Sequence, residues 1–336
     1  MLIDAKELLN QLEWVVPGLD KKELIEQSSC FVFRDGKVWT FNDEIACSVK
    51  CDLKVEGVVF AEDLMKILRS LKDDKISIDI KQNKLLLQAK QARGATLFSK
   101  DILLPIDVVE VPKGWRPLPE EFIDGLKLVH TCASRKSAQA ELTYVHIHPE
   151  YIEACDGVQA GRYLVAMPMK NPFLVEESSL RHILTMSPKK IGLTPRWVHF
   201  RNAAGFTISC RRNRDVYENL GELFDVKGEP FTIPKGLKDD ISIQEWLASR
   251  TDDHRVLVTL EKGYMLIRAD TSATWWVKRR RVHYDGPRLT FLIDPKLLVA
   301  IAEQFEDCEI TDKRLLVNCG RLKYVTALGV AECRGG

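Results

Sequence analysis

The chain has 336 residues, of which 45% are hydrophobic and 29% are charged, a composition typical of a globular protein with buried cores. Its 49 basic and 48 acidic side chains leave a formal net charge of +1, which excludes a protein held to nucleic acid by bulk charge. No apolar run approaches the roughly 18 residues of a membrane span, and the acidic, amphipathic start is unlike a secretory signal. We therefore expect a cytoplasmic protein of two or three domains, with no membrane contact.

Nine cysteines are spread along the chain without a CxxC pair. Cys47 and Cys51 are the closest in sequence, and no second pair or suitably spaced histidines complete a zinc site. In a cytoplasmic protein, reduced thiols are the expected state. The sequence therefore predicts neither a disulfide framework, nor a metal site, nor another cofactor.

The first third of the chain predicts two halves, each a helix followed by antiparallel strands. An amphipathic helix over residues 4–15 precedes a hairpin over residues 30–44, in which apolar residues alternate around a short polar turn. A second amphipathic helix over residues 61–73 precedes another hairpin over residues 76–88. A last strand begins at Thr96.

The same order of predicted elements returns twice. The second third predicts helices over residues 119–131 and 177–187, hairpins over 145–157 and 191–201, and a last strand from Gly205. The final third predicts helices over residues 243–250 and 294–306, hairpins over 256–271 and 309–319, and a last strand from Leu322. The chain therefore reads as six helix-plus-strand halves.

Two sets of landmarks keep one spacing, which indicates a tandem repeat. The turns of the three leading hairpins centre on Gly36, Glu150 and Gly263, which are 114 and 113 residues apart. The acidic residues that close the second strands are Asp43, Asp156 and Asp270, which are 113 and 114 residues apart. The alternative is an ordinary α+β protein of two domains with coincidental spacing.

Segments rich in proline and glycine separate the three repeats. They lie near residues 111–120 and 226–237. We therefore predict domains over residues 1–112, 113–228 and 229–336.

The middle repeat resembles a known family. Residues 154–157 read Ala-Cys-Asp-Gly, and residues 162–166 read Arg-Tyr-Leu-Val-Ala. With residues 158–161 as an insertion, they are similar to the alanine-threonine-aspartate-glycine-histidine-arginine-leucine-alanine strand of the bacterial DNA polymerase III β subunit, the sliding clamp. Tyr217 and Leu220 match a second segment of that family, which here lacks its proline. These departures favour a divergent member, of the kind that a phage or plasmid encodes.

The resemblance implies an α+β fold of three tandem sliding-clamp domains, each made of two helix-plus-antiparallel-sheet halves. It also implies a function without catalysis. Such a protein is a homodimeric ring that encircles double-stranded DNA and tethers a DNA polymerase and a clamp loader through short peptides. In the ring, the helices face the DNA and the sheets form the outer wall.

Exposed cations near the helices are the candidates for DNA binding that this resemblance implies. Contacts to phosphates carry no sequence information, so they let a protein slide. The alternative for each cation is an ordinary solvated helix surface, and the acidic run over residues 303–307 departs from a good DNA face. The candidates are Lys66, Arg69, Lys72, Lys127, Arg135, Lys136, Arg181, Lys189, Lys190 and Arg250.

Two further sites follow from the resemblance. The family's peptide pocket, carried over residue by residue, corresponds to Cys155, Gly157, Tyr163, Leu164, Leu220, Val325, Ala327 and Leu328. Ordinary core packing is the alternative for this mostly apolar set. The family's dimer interface joins the last strand of the first domain to the first helix-and-strand region of the partner's third domain, which here corresponds to Leu97, Phe98, Trp246 and Leu247.

Two other patterns leave alternatives open. Residues 275–281 are two tryptophans, a valine and four cations. This composition is compatible with nucleic-acid binding, but we favour an edge strand that its charges protect from aggregation. His146 and His148 alternate on a predicted strand, so a metal-dependent nucleic-acid hydrolase is one rival function. A clamp-like scaffold that recruits proteins without encircling DNA is the other.

Overall fold

The structure is a computed structural model that describes residues 1–71, 75–225 and 227–331. Its helices are α1 (Ala5–Val15), α2 (Ala61–Ser70), α3 (Phe122–Val129), α4 (Glu177–Met186), α5 (Leu237–Asp240), α6 (Ser242–Ala248) and α7 (Pro295–Gln304).

The strands number 25 in the described residues. The first eight are β1 (Leu2–Asp4), β2 (Cys30–Arg34), β3 (Lys37–Phe41), β4 (Ile45–Lys50), β5 (Gly57–Phe60), β6 (Lys75–Lys81), β7 (Lys84–Gln88) and β8 (Arg93–Ser99). The next eight are β9 (Arg116–Pro117), β10 (Tyr144–Ile147), β11 (Tyr151–Cys155), β12 (Gln159–Leu164), β13 (Phe173–Glu176), β14 (Lys190–Leu193), β15 (Trp197–Arg201) and β16 (Thr207–Arg211). The last nine are β17 (Glu229–Thr232), β18 (Val256–Glu261), β19 (Tyr264–Asp270), β20 (Trp275–Arg281), β21 (Leu289–Ile293), β22 (Asp307–Ile310), β23 (Arg314–Cys319), β24 (Leu322–Ala327) and β25 (Gly329–Val330).

The order of these elements confirms the predicted repeat of helix-plus-sheet halves. Each repeat has a short strand, a helix, four strands, a second helix and three strands. The first repeat runs from β1 to β8, the second from β9 to β16 and the third from β17 to β24, with α5 and β25 as additions. The short first strand of each repeat pairs antiparallel with the strand after the second helix, as in β1–β6, β9–β14 and β17–β22.

Local chemistry sets the ends of the helices. The Asp4 carboxylate caps α1 by accepting from the N–H groups of Lys6 and Glu7, each at 3.0 Å. The Asp294 carboxylate caps α7 by accepting from the Lys296 N–H at 2.8 Å. Helix α2 ends at Ser70, three residues before its predicted end, and residues 72–74 lie outside the described chain.

By packing, the chain divides into two compact units. Unit 1 holds residues 1–130, 143–150 and 165–216. Its largest sheet is antiparallel, with the strand order β1-β6-β7-β8-β5-β2-β3-β4-β16-β15-β14-β9. Strands β10 and β13 also pair antiparallel in this unit. The predicted short turn between β2 and β3 consists of two residues, Asp35 and Gly36, with φ of 53° and 66°.

Unit 2 holds residues 131–142, 151–164 and those from 217 onward. One of its sheets has the order β11-β12-β24-β23-β22-β17, and the other has the order β20-β19-β18-β21-β25. The predicted domain boundaries, after residues 112 and 228, remain a prediction. Among the described helices, none is long and apolar enough to cross a membrane.

Residues 158–161 do not form the insertion that the sequence comparison assumed. Gln159, Ala160 and Gly161 belong to β12 and pair with Thr326, Val325 and Tyr324 of β24. Only Asp156, Gly157 and Val158 lie between the paired strands β11 and β12. The turn is tight because the Asp156 carboxylate accepts from the N–H groups of Val158 and Gln159, each at 2.8 Å.

Candidate peptide-binding site and nucleic-acid interface

An apolar cluster in unit 2 forms where β12 pairs with β24. Its buried members come from the two strands, from β23 and from the segment after Tyr217, and they are Ala160, Leu220, Phe224, Leu316 and Val325. Cys155, Tyr217 and Leu223 pack against it from partly exposed positions. We call these eight residues the β12–β24 cluster. A short 3₁₀ turn over Gly221–Leu223 separates Leu220 from Phe224, so both side chains can lie on the sheet.

The structure brings most of the predicted pocket residues to this place. Leu220 and Val325 are buried in the cluster, and Cys155 packs against it. Gly157 follows directly, and its N–H donates to the Cys155 sulfur at 3.3 Å. Ala327 is exposed at the end of β24, and Leu328 is buried next to it.

Tyr163 and Leu164 lie elsewhere. They pair with Ile152 and Tyr151 at the opposite end of β12. Tyr163 is four residues from Gln159, about 13 Å along an extended strand. The assumed insertion caused this misplacement, because it shifted the family's strand four residues along the sequence.

Sequence reasoning missed five members of the β12–β24 cluster. They are Ala160, Leu316, Tyr217, Leu223 and Phe224. Val158 and Ala160 flank the polar Gln159, and this alternation was a usable signal for a strand directly after Gly157. The contribution of β23 had no local signal, since Leu316 meets Val325 only through strand pairing.

A buried ion pair lies beside the cluster. Both Arg162 Nε and Nη2 donate to one carboxylate oxygen of Glu153, at 2.8 and 2.6 Å, and Glu153 is 1% exposed. The guanidinium also stacks on the rings of Tyr151 and Phe224, at 4.4 and 5.2 Å from their centroids. The stacked Arg162 guanidinium therefore covers one face of the Phe224 ring. Burial raises the pKa of the Cys155 thiol, so Cys155 serves as a neutral wall of the site.

The candidate DNA-binding cations on helices are exposed and paired with carboxylates. Lys66 pairs with Glu62 at 2.5 Å, Arg69 with Glu13 at 3.0 Å, Lys127 with Asp124 at 3.8 Å and Arg181 with Glu177 at 3.4 Å. The three pairs whose carboxylates are exposed contribute at most about 1 kcal/mol each, so a phosphate can replace the carboxylate at small cost. The partner of Arg181 differs, since Glu177 is buried.

The other candidate cations lie outside the helices. Arg135 and Lys136 belong to the segment after α3, Lys189 precedes β14, and Lys190 is its first residue. Arg250 follows α6 and stacks on Trp246 at 4.6 Å. Lys72 lies outside the described residues.

The four candidate interface residues differ in accessibility. Leu97 and Trp246 are 74% and 54% exposed, whereas Phe98 and Leu247 are 3% and 1% exposed within their own units. The basic run forms β20, which is the outer strand of its sheet as predicted. Lys278 and Arg280 of this strand pair with Asp240, and Arg279 stacks on Tyr264 at 3.7 Å.

The two histidines of the hydrolase hypothesis are neighbours. The rings of His146 and His148 have centroids 5.8 Å apart and lie roughly edge to face. Across the described residues, no group of three or more histidine, cysteine, aspartate or glutamate side chains is placed to hold a metal ion.

The sequence matches no family model and no curated protein. The fold, however, matches solved structures over almost the whole chain. A DNA polymerase III β chain from Streptococcus pneumoniae matches with a TM-score of 0.86 at 14% identity, covering 98% of this chain and 99% of that one. A Pseudomonas aeruginosa sliding clamp bound to griselimycin matches with 0.82 at 15% identity and 98% coverage of both. A Helicobacter pylori β clamp bound to a DNA ligase peptide matches with 0.77 at 13% identity, covering 98% and 99%.

These matches define the class of fold. The chain has the α+β fold of the bacterial DNA polymerase III β sliding clamps over nearly its full length. The resemblance predicted from the sequence is thereby confirmed, at an identity of 13–16%.

Proposed function

We propose that this protein is a DNA sliding clamp. Two copies, each with clamp domains over residues 1–112, 113–228 and 229–336, close a ring around duplex DNA and tether a DNA polymerase and a clamp loader. The mechanism is topological and needs neither a catalytic residue nor a cofactor.

The observation that carries this proposal is a pair of open strand edges. Within unit 1, β4 of the first repeat pairs with β16 of the second, and within unit 2, β12 of the second repeat pairs with β24 of the third. The remaining combination is β20 of the third repeat with β8 of the first. β20 is an outer strand, and Arg93–Leu97 of β8 pair only with β7 among the described strands. A second copy supplies both missing partners, and a head-to-tail contact used twice closes as a two-fold ring.

The ten candidate cations support weak binding to the DNA backbone. Those on helices are exposed. Lys66, Arg69 and Lys127 are held by surface ion pairs of low energy, and Arg181 pairs with the buried Glu177. With a net charge of +1, the protein has no strong overall attraction for DNA, which suits a ring that must slide.

The β12–β24 cluster supports peptide binding. It is a largely apolar site assembled from separated segments, with Cys155, Tyr217 and Leu223 partly exposed at its edge. The Helicobacter pylori clamp of the same fold is bound to a DNA ligase peptide. A short peptide from the polymerase or the loader would dock here, and its attachment to a ring on DNA would keep the polymerase at high effective concentration.

Light scattering tests the assembly. At micromolar concentration the expected mass is about twice the 38.3 kDa of one chain. A monomer at every concentration would contradict the ring. A dimer that binds the polymerase yet leaves the length of its extension products unchanged would favour the scaffold that does not encircle DNA.

A further inference from the structure

We infer that the ring closes in one defined register, with Val277 of β20 directly opposite Ala95 of the partner subunit's β8, and with Trp275 as its apolar anchor. This register presupposes the proposed ring and adds the residues that hold it. It follows from the two strand pairings that join neighbouring repeats within the chain, β4–β16 and β12–β24, which we call joints.

The two joints observed within the chain have the same register. Ala46 of β4 lies opposite Ser209 of β16, and Ala160 of β12 lies opposite Val325 of β24. Residue pairs are counted from the end of each hairpin that lies away from its turn. Ala46 belongs to the fifth pair of the β3–β4 hairpin, and Ala160 belongs to the fifth pair of the β11–β12 hairpin. By the same count, Ser209 belongs to the third pair of the β15–β16 hairpin, and Val325 belongs to the third pair of the β23–β24 hairpin.

The equivalent residues of the open strands follow from this count. Val277 belongs to the fifth pair of the β19–β20 hairpin, and Ala95 belongs to the third pair of the β7–β8 hairpin. Matching the observed joints therefore places Val277 opposite Ala95 of the partner subunit. In this register Trp275 lies opposite the partner's Leu97, on the same face of the sheet.

Burial distinguishes the made joints from the open one. Ala46 and Ala160 are each 1% exposed, whereas their equivalent Val277 is 38% exposed. Ser209 and Val325 are buried, whereas their equivalent Ala95 is exposed. Pairing in the same register would bring Val277 and Ala95 to the burial of their counterparts.

An unpartnered buried hydroxyl points to the same contact. Thr96 of β8 is 5% exposed, and its Oγ1 has no hydrogen-bond partner among the described residues. Its equivalent in the second joint, Thr326, donates its hydroxyl to the Val158 carbonyl at 3.4 Å, and the neighbouring Ala327 N–H donates to the same oxygen at 2.8 Å. In the third joint, the Trp275 carbonyl of the partner subunit would accept from Thr96 and from the next N–H. That contact would satisfy a buried polar atom that has no hydrogen-bond partner among the described residues.

The edge of β8 also offers a surface that can receive the Trp275 side chain of a second copy. A groove of about 640 Å³ lies beside the open edge of β8, and its apolar walls include Phe60, Leu97 and Phe98. Trp275 is 65% exposed and Leu97 is 74% exposed, although both are large apolar side chains. Setting Trp275 against the partner's Leu97 at this groove would remove both from water.

Cysteine cross-linking tests the register. Directly opposite residues in antiparallel strands have Cα atoms about 4.5–5.5 Å apart, within the span of a disulfide. The variant carrying Val277→Cys and Ala95→Cys should therefore form an intermolecular disulfide on mild oxidation. The register control carries Val277→Cys and Leu97→Cys, which are two residues out of line and should not cross-link. The parent chain and the single variants measure the background from native cysteines.

Truncating the anchor provides a second measurement that needs no cross-link. Trp275→Ala should raise the dissociation constant of the dimer about 30-fold, the loss typical of a central aromatic anchor. Trp246→Ala removes the exposed interface tryptophan that the family resemblance predicted instead, and with Trp275 as the anchor it should leave the dissociation constant unchanged.

The outcomes separate this inference from the ring itself. A dimer that cross-links only in the control register, or that weakens with Trp246→Ala and not with Trp275→Ala, would overturn the register and leave the ring standing. A monomer in the parent chain would overturn both.

Discussion

At the scale of single residues, His199 is a buried base in the sheet of unit 1. It is 2% exposed, its Nδ1 lies 2.8 Å from the Ser209 hydroxyl, and its Nε2 lies 3.3 Å from the Thr194 hydroxyl. Burial, with smaller contributions from the positive charges of Arg212 and Arg201, lowers the pKa of His199 from 6.5 to about 4. The imidazole is therefore neutral in the folded protein at neutral pH.

This shift makes stability depend on pH. Between pH 6.5 and about 4, the unfolded chain binds a proton at His199 that the folded chain does not. The free energy of unfolding should consequently fall as the pH falls through this window, by up to about 3 kcal/mol. Urea unfolding of the parent and of His199→Gln at both ends of the window measures it. The variant should be less stable at neutral pH and should lose this part of the slope; equal slopes would contradict the assignment.

Leu220 and Leu164 form a matched pair for the peptide site. Both are sequence-predicted pocket residues, but Leu220 is buried in the β12–β24 cluster and Leu164 is at the far end of β12. Leu220→Ala should weaken binding of a synthetic peptide from the proposed partner polymerase about tenfold, because it removes an apolar wall. Leu164→Ala should leave the affinity unchanged. Calorimetric titration measures both, with thermal unfolding as the check on folding; equal losses would place the peptide elsewhere.

At the scale of elements, the candidate DNA-binding cations should matter through charge; three of the four tested lie on helices, and Lys190 begins β14. Changing Lys66, Arg69, Arg181 and Lys190 together to alanine should shorten the products of the tethered polymerase at low salt without altering the mass of the dimer. The effect should shrink as salt rises, since the lost contacts are to phosphates. A matched set of exposed lysines away from the helices, Lys21, Lys22, Lys50 and Lys81, should have no such effect. Equal behaviour of the two sets would show that these helices do not face DNA.

In the proposed ring, the basic strand β20 should give the dimer an unusual salt dependence. The inferred register places Arg279 opposite Arg93 of the partner subunit, and like charges directly opposite destabilise a strand pair. The dimer should therefore tighten as salt rises, since salt screens this repulsion. Arg93→Glu should tighten it at low salt, whereas Lys81→Glu, on the neighbouring hairpin, should not. Sedimentation at several salt concentrations measures this, and a weaker dimer with Arg93→Glu would contradict the register.

The elements show how far the sequence alone reaches. The hairpin at Asp35 and Gly36 was predictable because residues with positive φ at a two-residue turn have a local chemical signature. The joints β4–β16 and β12–β24 were not, because each unites strands more than 100 residues apart whose patterns do not name their partner. The candidate site was only partly predictable for the same reason, because it depends on strand pairing between distant segments. Val325 and Leu220 were placed through resemblance, while Leu316 became visible only once β23 was paired.

At the scale of the whole molecule, three repeats of one plan leave two complementary edges open. The β4–β16 and β12–β24 pairings are made inside the chain, and in the proposed ring the remaining strands, β8 and β20, pair with a second copy. A closed ring uses both and leaves neither edge free for open-ended association. The central claim is therefore that the protein holds DNA by enclosing it.

Retention on circular DNA tests that claim most directly. Protein diluted to monomers, mixed with nicked circular duplex and concentrated again should form rings around the DNA. At high salt, which suppresses phosphate contacts, the rings should elute with the circles and be released when an enzyme linearises them. Loss from the circles at high salt, or equal retention on circular and linear DNA, would contradict enclosure.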